Sequence, residues 1–185
     1  EFWQLYNRYF AGFEQFDGDA RQISQQVIDR LWEGDFYRTS LGHFDFFWMR
    51  DFGTCAKSLT VLGYDEKVRC TLSWAMFHYK RADEVTLCID KAGNTFNAPA
   101  KKSVDALPWL LHSIVVSNYQ LNKIERKFLE RQLRGYCKGL LSPKDGNLKK
   151  GIRYAELRDA VNYDRSAYAV SMIARMAVCV KELKL

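Results

Sequence analysis

The sequence predicts an all-α fold made of αα-hairpin repeats, with a small β-hairpin in one loop. Apolar residues recur at helical spacing in six segments of the 185-residue chain, and 48% of the residues are hydrophobic, as in globular proteins. The connections between these segments alternate between long and tight. Three carboxylates, each near the junction of a long loop with the following helix, recur at equal spacing and indicate a two-helix repeat: Asp51, Asp105 and Asp159.

The first elements follow from apolar spacing and glycine punctuation. Residues 1–16 carry aromatic side chains at helical spacing and predict an amphipathic arm. A first helix is predicted over 20–33, followed by an aromatic-rich loop over 34–50. A second helix is predicted over about 51–62, and Gly63 is expected to cap its C terminus.

The remaining elements repeat this arrangement. Asp65 is expected to cap a third helix after a tight link. Alternating apolar residues and a glycine turn predict a β-hairpin over 85–94. A fourth helix is predicted to start near Ser103, a fifth to run over about 121–141, and a sixth to end near residue 183.

The alternation of connections has a geometric consequence. Successive antiparallel helices return every second connection to the same end of the array. We therefore expect the three long loops to gather at one end and to bring Arg50, Asp105 and Asp159 together there.

The segment over 46–52 places an Arg-Asp pair behind three aromatic residues. Aromatic faces beside a bidentate cation and a carboxylate suit the apolar face and hydroxyl rim of a sugar ring. A core aromatic cluster with an ion pair at a helix start is the alternative interpretation. Trp109 is likewise open to two interpretations, as a core residue or as a platform for a sugar.

Composition excludes several classes of protein. The net charge of +6 comes from dispersed cations, which argues against nucleic acid as a partner. No apolar run is long enough to cross a membrane. The five cysteines lie far apart at mostly apolar positions, which predicts buried free thiols in a reducing compartment and hence a cytoplasmic protein. The three histidines are isolated and no C-x-x-C occurs, so neither a metal site nor a cofactor is expected.

Three segments, in order along the chain, resemble one group of enzymes. W-M-R-D at 48–51 resembles the W-x-R-D stretch of glucoamylases and of the glucosidase domain of glycogen-debranching enzymes. V-D-A-L-P-W at 104–109 is similar to the V-D-A-x-x-W segment of the debranching group. L-R-D-A-V-N at 157–162 resembles the L-W-E-E-V-N segment of glucoamylases and the E-S-G-x-D stretch of trehalases. Together they resemble the six-hairpin, (α/α)6 toroid glycosidases.

The resemblance implies roles for the residues at the motif positions. Arg50 and Asp51 would hold the non-reducing-end sugar through its hydroxyl groups, and Trp48 would form a wall of the pocket. Asp105 would line the same pocket from the second long loop. Trp109, in the same motif, would also contact the substrate.

The resemblance also assigns the general acid. Asp159 matches the acid of these families, but Arg158 stands where a Trp is expected and Ala160 replaces a second carboxylate. Glu156 therefore remains the alternative acid. An inverting glycosidase also needs a carboxylate base, roughly 6.5–9.5 Å from the acid, to activate water. In these families that base comes from the last hairpin, and the resemblance covers only the first six helices of a twelve-helix ring.

The implied function is hydrolysis of α-glucosidic bonds with inversion, on an oligosaccharide or α-glucoside. We expect one domain over 1–185 that forms half of a toroid and is inactive without its base. Its partner would be the missing C-terminal half of the same protein or another subunit. Two alternatives remain open: a non-catalytic carbohydrate-binding or scaffold protein on the same fold, and a sugar epimerase or phosphorylase. An epimerase would need a histidine acid/base, and none falls in the three loop motifs.

Overall fold

The fold is mostly helical, with one small antiparallel sheet, as the sequence predicts. A computed structural model describes residues 6, 9–10, 14–42, 44, 46–157 and 166–185. The helices are α1 (Ala20–Arg30), α2 (Met49–Val61), α3 (Asp65–Ala82), α4 (Ala106–Val116), α5 (Lys123–Leu140) and α6 (Ala167–Leu183). The strands are β1 (Phe47–Trp48), β2 (Cys88–Ile89) and β3 (Thr95–Phe96). The aromatic arm predicted over 1–16 lies largely outside the described residues.

None of the helices within the described ranges is long and apolar enough to cross a lipid bilayer.

The helix ends follow local hydrogen bonds more closely than apolar spacing. Asp19 caps α1 by accepting from two backbone amides, and α1 ends earlier than predicted because Trp32 pairs with Tyr37 in a tight turn. The prediction that Asp65 caps α3 is wrong. Tyr64 occupies the N-cap position without a capping side-chain bond, and Asp65 is the first helical residue. There its carboxylate still interacts favourably with the helix dipole. Gly63, with φ of +89°, directly follows the C-cap of α2, as predicted.

Helices α2, α4 and α6 lie side by side, with α4 packed between the other two. Their N termini lie at the same end, because Asp105 at the start of α4 bonds to residues in the first turns of α2 and α6. Helix α3 packs on α2 and α4 and runs the opposite way, since its Arg69 donates to the carbonyl of Ser117 at the end of α4. Helix α5 is likewise antiparallel to α6, as its Arg126 donates to the carbonyl of Leu183. Helix α4 is almost entirely buried and forms the centre of the core.

The β-hairpin is confirmed, and a third strand joins it. Strands β2 and β3 pair across a turn in which Gly93, at φ of +81°, donates to the carbonyl of Asp90. Strand β1 pairs antiparallel with β2, placing Phe47 opposite Ile89. The sequence analysis assigned residues 34–50 to a loop, so β1 was not predicted. Strand β2 lies in the second long loop, and β1 directly precedes α2. The pairing of β1 with β2 therefore fixes where α2 begins.

The second and third long loops are joined by main-chain hydrogen bonds. The amide of Val104 donates to the carbonyl of Ala155 at 3.2 Å, and the amide of Ala155 donates to the carbonyl of Lys102 at 2.7 Å. All three long loops therefore meet at the N-terminal ends of α2, α4 and α6. The predicted convergence is confirmed for Arg50 and Asp105, whereas Asp159 lies outside the described residues.

The cysteines are free thiols, as predicted, but their expected burial is only partly correct. Cys88 and Cys179 are buried. The other three are exposed because they lie on the solvent sides of their helices: Cys55, Cys70 and Cys137.

Candidate functional site at the helix N termini

Asp105 is the centre of a hydrogen-bond network that joins three helices. Its side chain has no solvent exposure. One carboxylate oxygen, Oδ2, accepts from Arg50 Nε at 2.5 Å and from the Tyr168 hydroxyl at 2.6 Å. The other, Oδ1, accepts from the Ser103 hydroxyl at 2.6 Å. Together, one charged and two neutral donors largely offset the free-energy cost of removing this carboxylate from water.

Local structure explains why these side chains meet. Arg50 is the second residue of α2, directly after β1 has fixed the direction of the chain. Asp105 occupies the N-cap position of α4, and Tyr168 is the second residue of α6. Arg50 is only 8% exposed, so the ion pair with Asp105 is buried on both sides. We refer to Arg50, Ser103, Asp105, Trp109 and Tyr168 as the Asp105 network.

Trp109 extends this network to the surface. Its indole N–H donates to the Tyr168 hydroxyl at 3.1 Å, and its ring is half-buried. The backbone of α2 approaches the indole closely at Gly53, where an added Cβ would lie 2.6 Å from the Trp109 Cβ. Burial and the Asp105 carboxylate raise the pKa of the Tyr168 hydroxyl, which therefore stays protonated and keeps donating.

Trp48 and Asp51, the other two candidate residues of the first motif, do not belong to the Asp105 network. The Trp48 ring is half-buried and contacts Phe44 edge-on at 5.4 Å between centroids. Its indole N–H is buried and has no hydrogen-bond partner among the residues that the structure describes. Asp51 is exposed and lines a separate, mainly apolar groove of about 200 Å³ between α1 and α2. Burial and the Asp51 carboxylate raise the pKa of the Cys55 thiol in that groove. The structure thus brings Arg50 to Asp105 but turns Asp51 away from both.

Glu156 lies in the third loop, one residue after the main-chain pairing with the second loop. It is 3% exposed, and its Oε2 accepts a hydrogen bond from the hydroxyl of Ser166. Ser166 is also the N-cap of α6, where its side chain accepts from the amide of Ala169 at 3.0 Å. Glu156 is therefore held at the same end as the Asp105 network. The other candidate acid, Asp159, lies outside the described residues, as do Arg158 and Ala160.

A second cavity, of about 370 Å³, lies behind the network between α5 and the second long loop. It is next to Asp105, because Ser103 lines it and donates to that carboxylate. Gly135 and Gly139 leave the α5 side of this cavity open. Two other polar groups that line the cavity are bonded within the protein: Tyr136 donates to the Val104 carbonyl, and Gln132 accepts from the Val85 amide.

No protein-family model, curated protein or solved structure matches this chain.

Metal ligation has no support in the described parts of the chain, where no group of three or more His, Cys, Asp or Glu side chains converges.

The sequence assigns no site role to Ser103, whereas Tyr168 is open to two interpretations, as a hydroxyl donor in the pocket or as a cap of the last helix; its hydroxyl donates to Asp105. Ser103 follows from local geometry, since a Ser two residues before a helix N-cap can bond to both the amide and the side chain at that cap. Tyr168 has a weaker signal. It holds the same position in α6 that Arg50 holds in α2, the second residue of a helix that follows a long loop.

Proposed function

We propose that this chain is part of a glycoside hydrolase of the glucoamylase and debranching-enzyme type, which hydrolyses α-glucosidic bonds with inversion. The observation that carries the proposal is the convergence of the Asp105 network at the N termini of three parallel helices. Two of the three motifs that resemble these enzymes, at 48–51 and 104–109, contribute side chains to this network. The third motif follows Glu156, which is held at the same end.

The network suits recognition of a neutral sugar. Trp109 offers a half-exposed ring for the apolar face of the sugar, held in place by Tyr168 and Gly53. Trp48 has an indole N–H that is not bonded within the described residues and can donate to a hydroxyl group after a rotation of the ring. The buried pair of Arg50 and Asp105 gives this sugar-binding site a rigid base.

In this proposal a carboxylic acid of the third loop protonates the glycosidic oxygen as the bond to the anomeric carbon breaks. Asp159 takes this role by resemblance, with Glu156 as the alternative. Water attacks the opposite face of the sugar and gives its proton to a carboxylate base. That base is supplied from outside this chain, by the C-terminal half of the same protein or by another subunit.

The row of α2, α4 and α6 supports the proposed half toroid. In an (α/α)6 ring such parallel helices form the inner layer, and each has a neighbour on both sides. Helix α4 has both neighbours, whereas α6 exposes apolar side chains at Val170 and Val178. An exposed apolar helix side of this kind is where a further helix would pack.

Sugar binding tests the proposal first. Calorimetric titration of the 185-residue protein with maltose and maltotriose should give saturable binding. Trp109→Leu should weaken it about tenfold, because loss of an aromatic contact and its buried area amounts to about 1.4 kcal/mol or more. Trp32→Leu is the matched control, since Trp32 is half-buried beside α1 and contacts Tyr37. Absence of saturable binding, or equal losses in both variants, would contradict the proposed site.

Hydrolysis tests the acid. With the base supplied by the complete protein, Asp159→Asn should lower kcat by about 10²–10⁴-fold on substrates with natural leaving groups. The loss should be clearly smaller on an activated aryl glucoside, which needs less protonation. Glu156→Gln is the comparison variant. If Glu156→Gln shows the leaving-group dependence and Asp159→Asn does not, the acid is Glu156.

One observation favours the alternative of a non-catalytic carbohydrate-binding or scaffold protein. Arg50 and Asp105 are both buried and bonded to each other, as in a structural ion pair. Sugar binding without hydrolysis by the complete protein would establish this alternative.

A further inference from the structure

A second cluster of side chains crosses the same three helices, further from their N termini. Lys57 of α2, His112 of α4 and Arg175 of α6 each lie two turns beyond the residue that their helix contributes around Asp105. Two turns correspond to about 10 Å along a helix. The cluster therefore lies on the same row of helices as the candidate site and is separate from its hydrogen bonds.

His112 is the buried centre of this cluster, at 8% exposure. Its Nδ1 lies 3.3 Å from Arg175 Nη1. A guanidinium only donates, so Nδ1 accepts and the neutral ring carries its proton on Nε2. Burial, Arg175 and Lys57 together lower the pKa of His112 to about 4, which keeps the ring neutral at pH 7. No described group bonds to Nε2, which leaves that N–H as a fixed donor.

Among the residues that the structure describes, the two cations have no paired counter-charge. Lys57 and Arg175 are exposed, and neither forms an ion pair within the described residues. Glu182 lies on the same helix as Arg175, and the two act in opposite directions on the pKa of the Cys179 thiol. Two cations beside a buried histidine repel each other and oppose its protonation. Such a cluster is therefore poorly explained as a stabilising feature of the fold.

We propose that Lys57, His112 and Arg175 form a binding site for an oxyanion, a carboxylate or phosphate group. Arg175 supplies a planar fork of N–H donors, Lys57 an ammonium group and His112 a single N–H of fixed direction. The buried ring orients the site, and the exposed cations give the ligand access to it.

The site also indicates a substrate class. The rings of Trp109 and His112 are in edge contact, with 5.5 Å between centroids. A sugar stacked on Trp109 thus has the oxyanion site beside it, and the ligand that satisfies both is an acidic saccharide, either a uronate or a sugar phosphate. This second step rests on the proposed function, whereas the oxyanion site itself does not.

Inorganic phosphate is the direct probe. We would titrate it into the 185-residue protein at constant ionic strength and follow backbone and histidine ring signals by NMR. Lys57→Met and Arg175→Met should each weaken phosphate binding about tenfold, as expected for a hydrogen bond to a charged group. Lys127→Met, which removes an exposed cation of α5, should change it less than twofold. Circular dichroism would verify that each variant is folded.

Saturating phosphate should also raise the pKa of His112, because a bound anion offsets the two cations. Two results would overturn the oxyanion site. One is phosphate binding that does not saturate, and the other is a loss of phosphate affinity in Lys127→Met as large as in the two cluster variants.

Three sugars separate this inference from the proposed function. Glucuronate and glucose 6-phosphate should bind at least tenfold more tightly than glucose, and Arg175→Met should abolish the difference. If phosphate binds but the acidic sugars bind no more tightly than phosphate alone, the acidic-saccharide step fails and the oxyanion site stands. If neutral glucosides bind at Trp109 while phosphate does not, the proposed function stands and the oxyanion site is refuted.

Discussion

Replacement of Asp105 by Asn should be one of the most destabilising single changes in this chain. Asp105 is fully buried and accepts three side-chain hydrogen bonds, two of them on Oδ2. An amide has one oxygen and no charge, so at least one donor loses its partner and the buried Arg50 guanidinium loses its ion pair with Asp105. Breaking a buried ion pair on one side costs about 3–5 kcal/mol. At about 2–4 °C per kcal/mol for a domain of this size, Tm should fall by about 6–20 °C.

Urea unfolding at pH 7, followed by circular dichroism, measures this directly. Asp29→Asn is the matched control, because Asp29 pairs with Lys67 at the surface, with side-chain exposures of 57% and 33%. Its expected cost is below about 1 kcal/mol. The double variant Arg50→Met with Asp105→Leu should be less destabilised than the sum of the two single changes. A cost for Asp105→Asn as small as that of Asp29→Asn would refute the buried-pair argument.

Two further predictions concern packing and pH. Gly53→Ala should lower the free energy of unfolding by about 1–3 kcal/mol, because its Cβ would lie 2.6 Å from the Trp109 Cβ. Gly135→Ala is the matched control, since an added Cβ there has no neighbour within 4 Å. In the same urea assay it should raise the free energy of unfolding by about 0.5–1 kcal/mol. Opposite outcomes for the two glycines would contradict the described approach of α2 to α4. The pKa of His112 is lowered from 6.5 to about 4, so between these values the unfolded chain binds a proton that the folded chain does not, and stability falls as pH falls through this window. The full shift, at about 1.4 kcal/mol per pKa unit, sets the upper limit of this loss of stability. Because solvent screens the interaction, we expect a loss of about 1–2 kcal/mol relative to His112→Gln. Parallel pH profiles of stability for the two proteins would refute this prediction.

Apolar periodicity and glycine positions were sufficient to predict the hairpin and the six helices given above for the described residues. These signals are local, since a helix needs only residues within a few positions of one another. The same local information predicted that the three long loops meet at one end, because antiparallel hairpins leave no other arrangement. The network at Asp105 confirms this for the first two loops.

Contacts that span the sequence were harder to predict. Nothing in residues 34–50 indicates a strand, because β1 has only two residues and exists through its pairing with β2. The opposite orientations of Arg50 and Asp51 were also not predicted. Adjacent helical residues point about 100° apart, so only one of the pair can face α4. Which one does so depends on the packing of α2 against its neighbours.

The hydrogen bonds between residues 102–104 and Ala155 determine where this chain can accept an inserted peptide, such as a tag or a reporter domain. Surface loops normally tolerate insertions well. Here an insertion at 102–104 would break main-chain bonds directly beside Asp105. The turn over 142–147 is different, because it closes on itself through the bond from the Gly146 amide to the Ser142 carbonyl and exposes residues 143–146. A module inserted within the exposed residues 143–146 would therefore leave the main-chain bonds beside Asp105 intact.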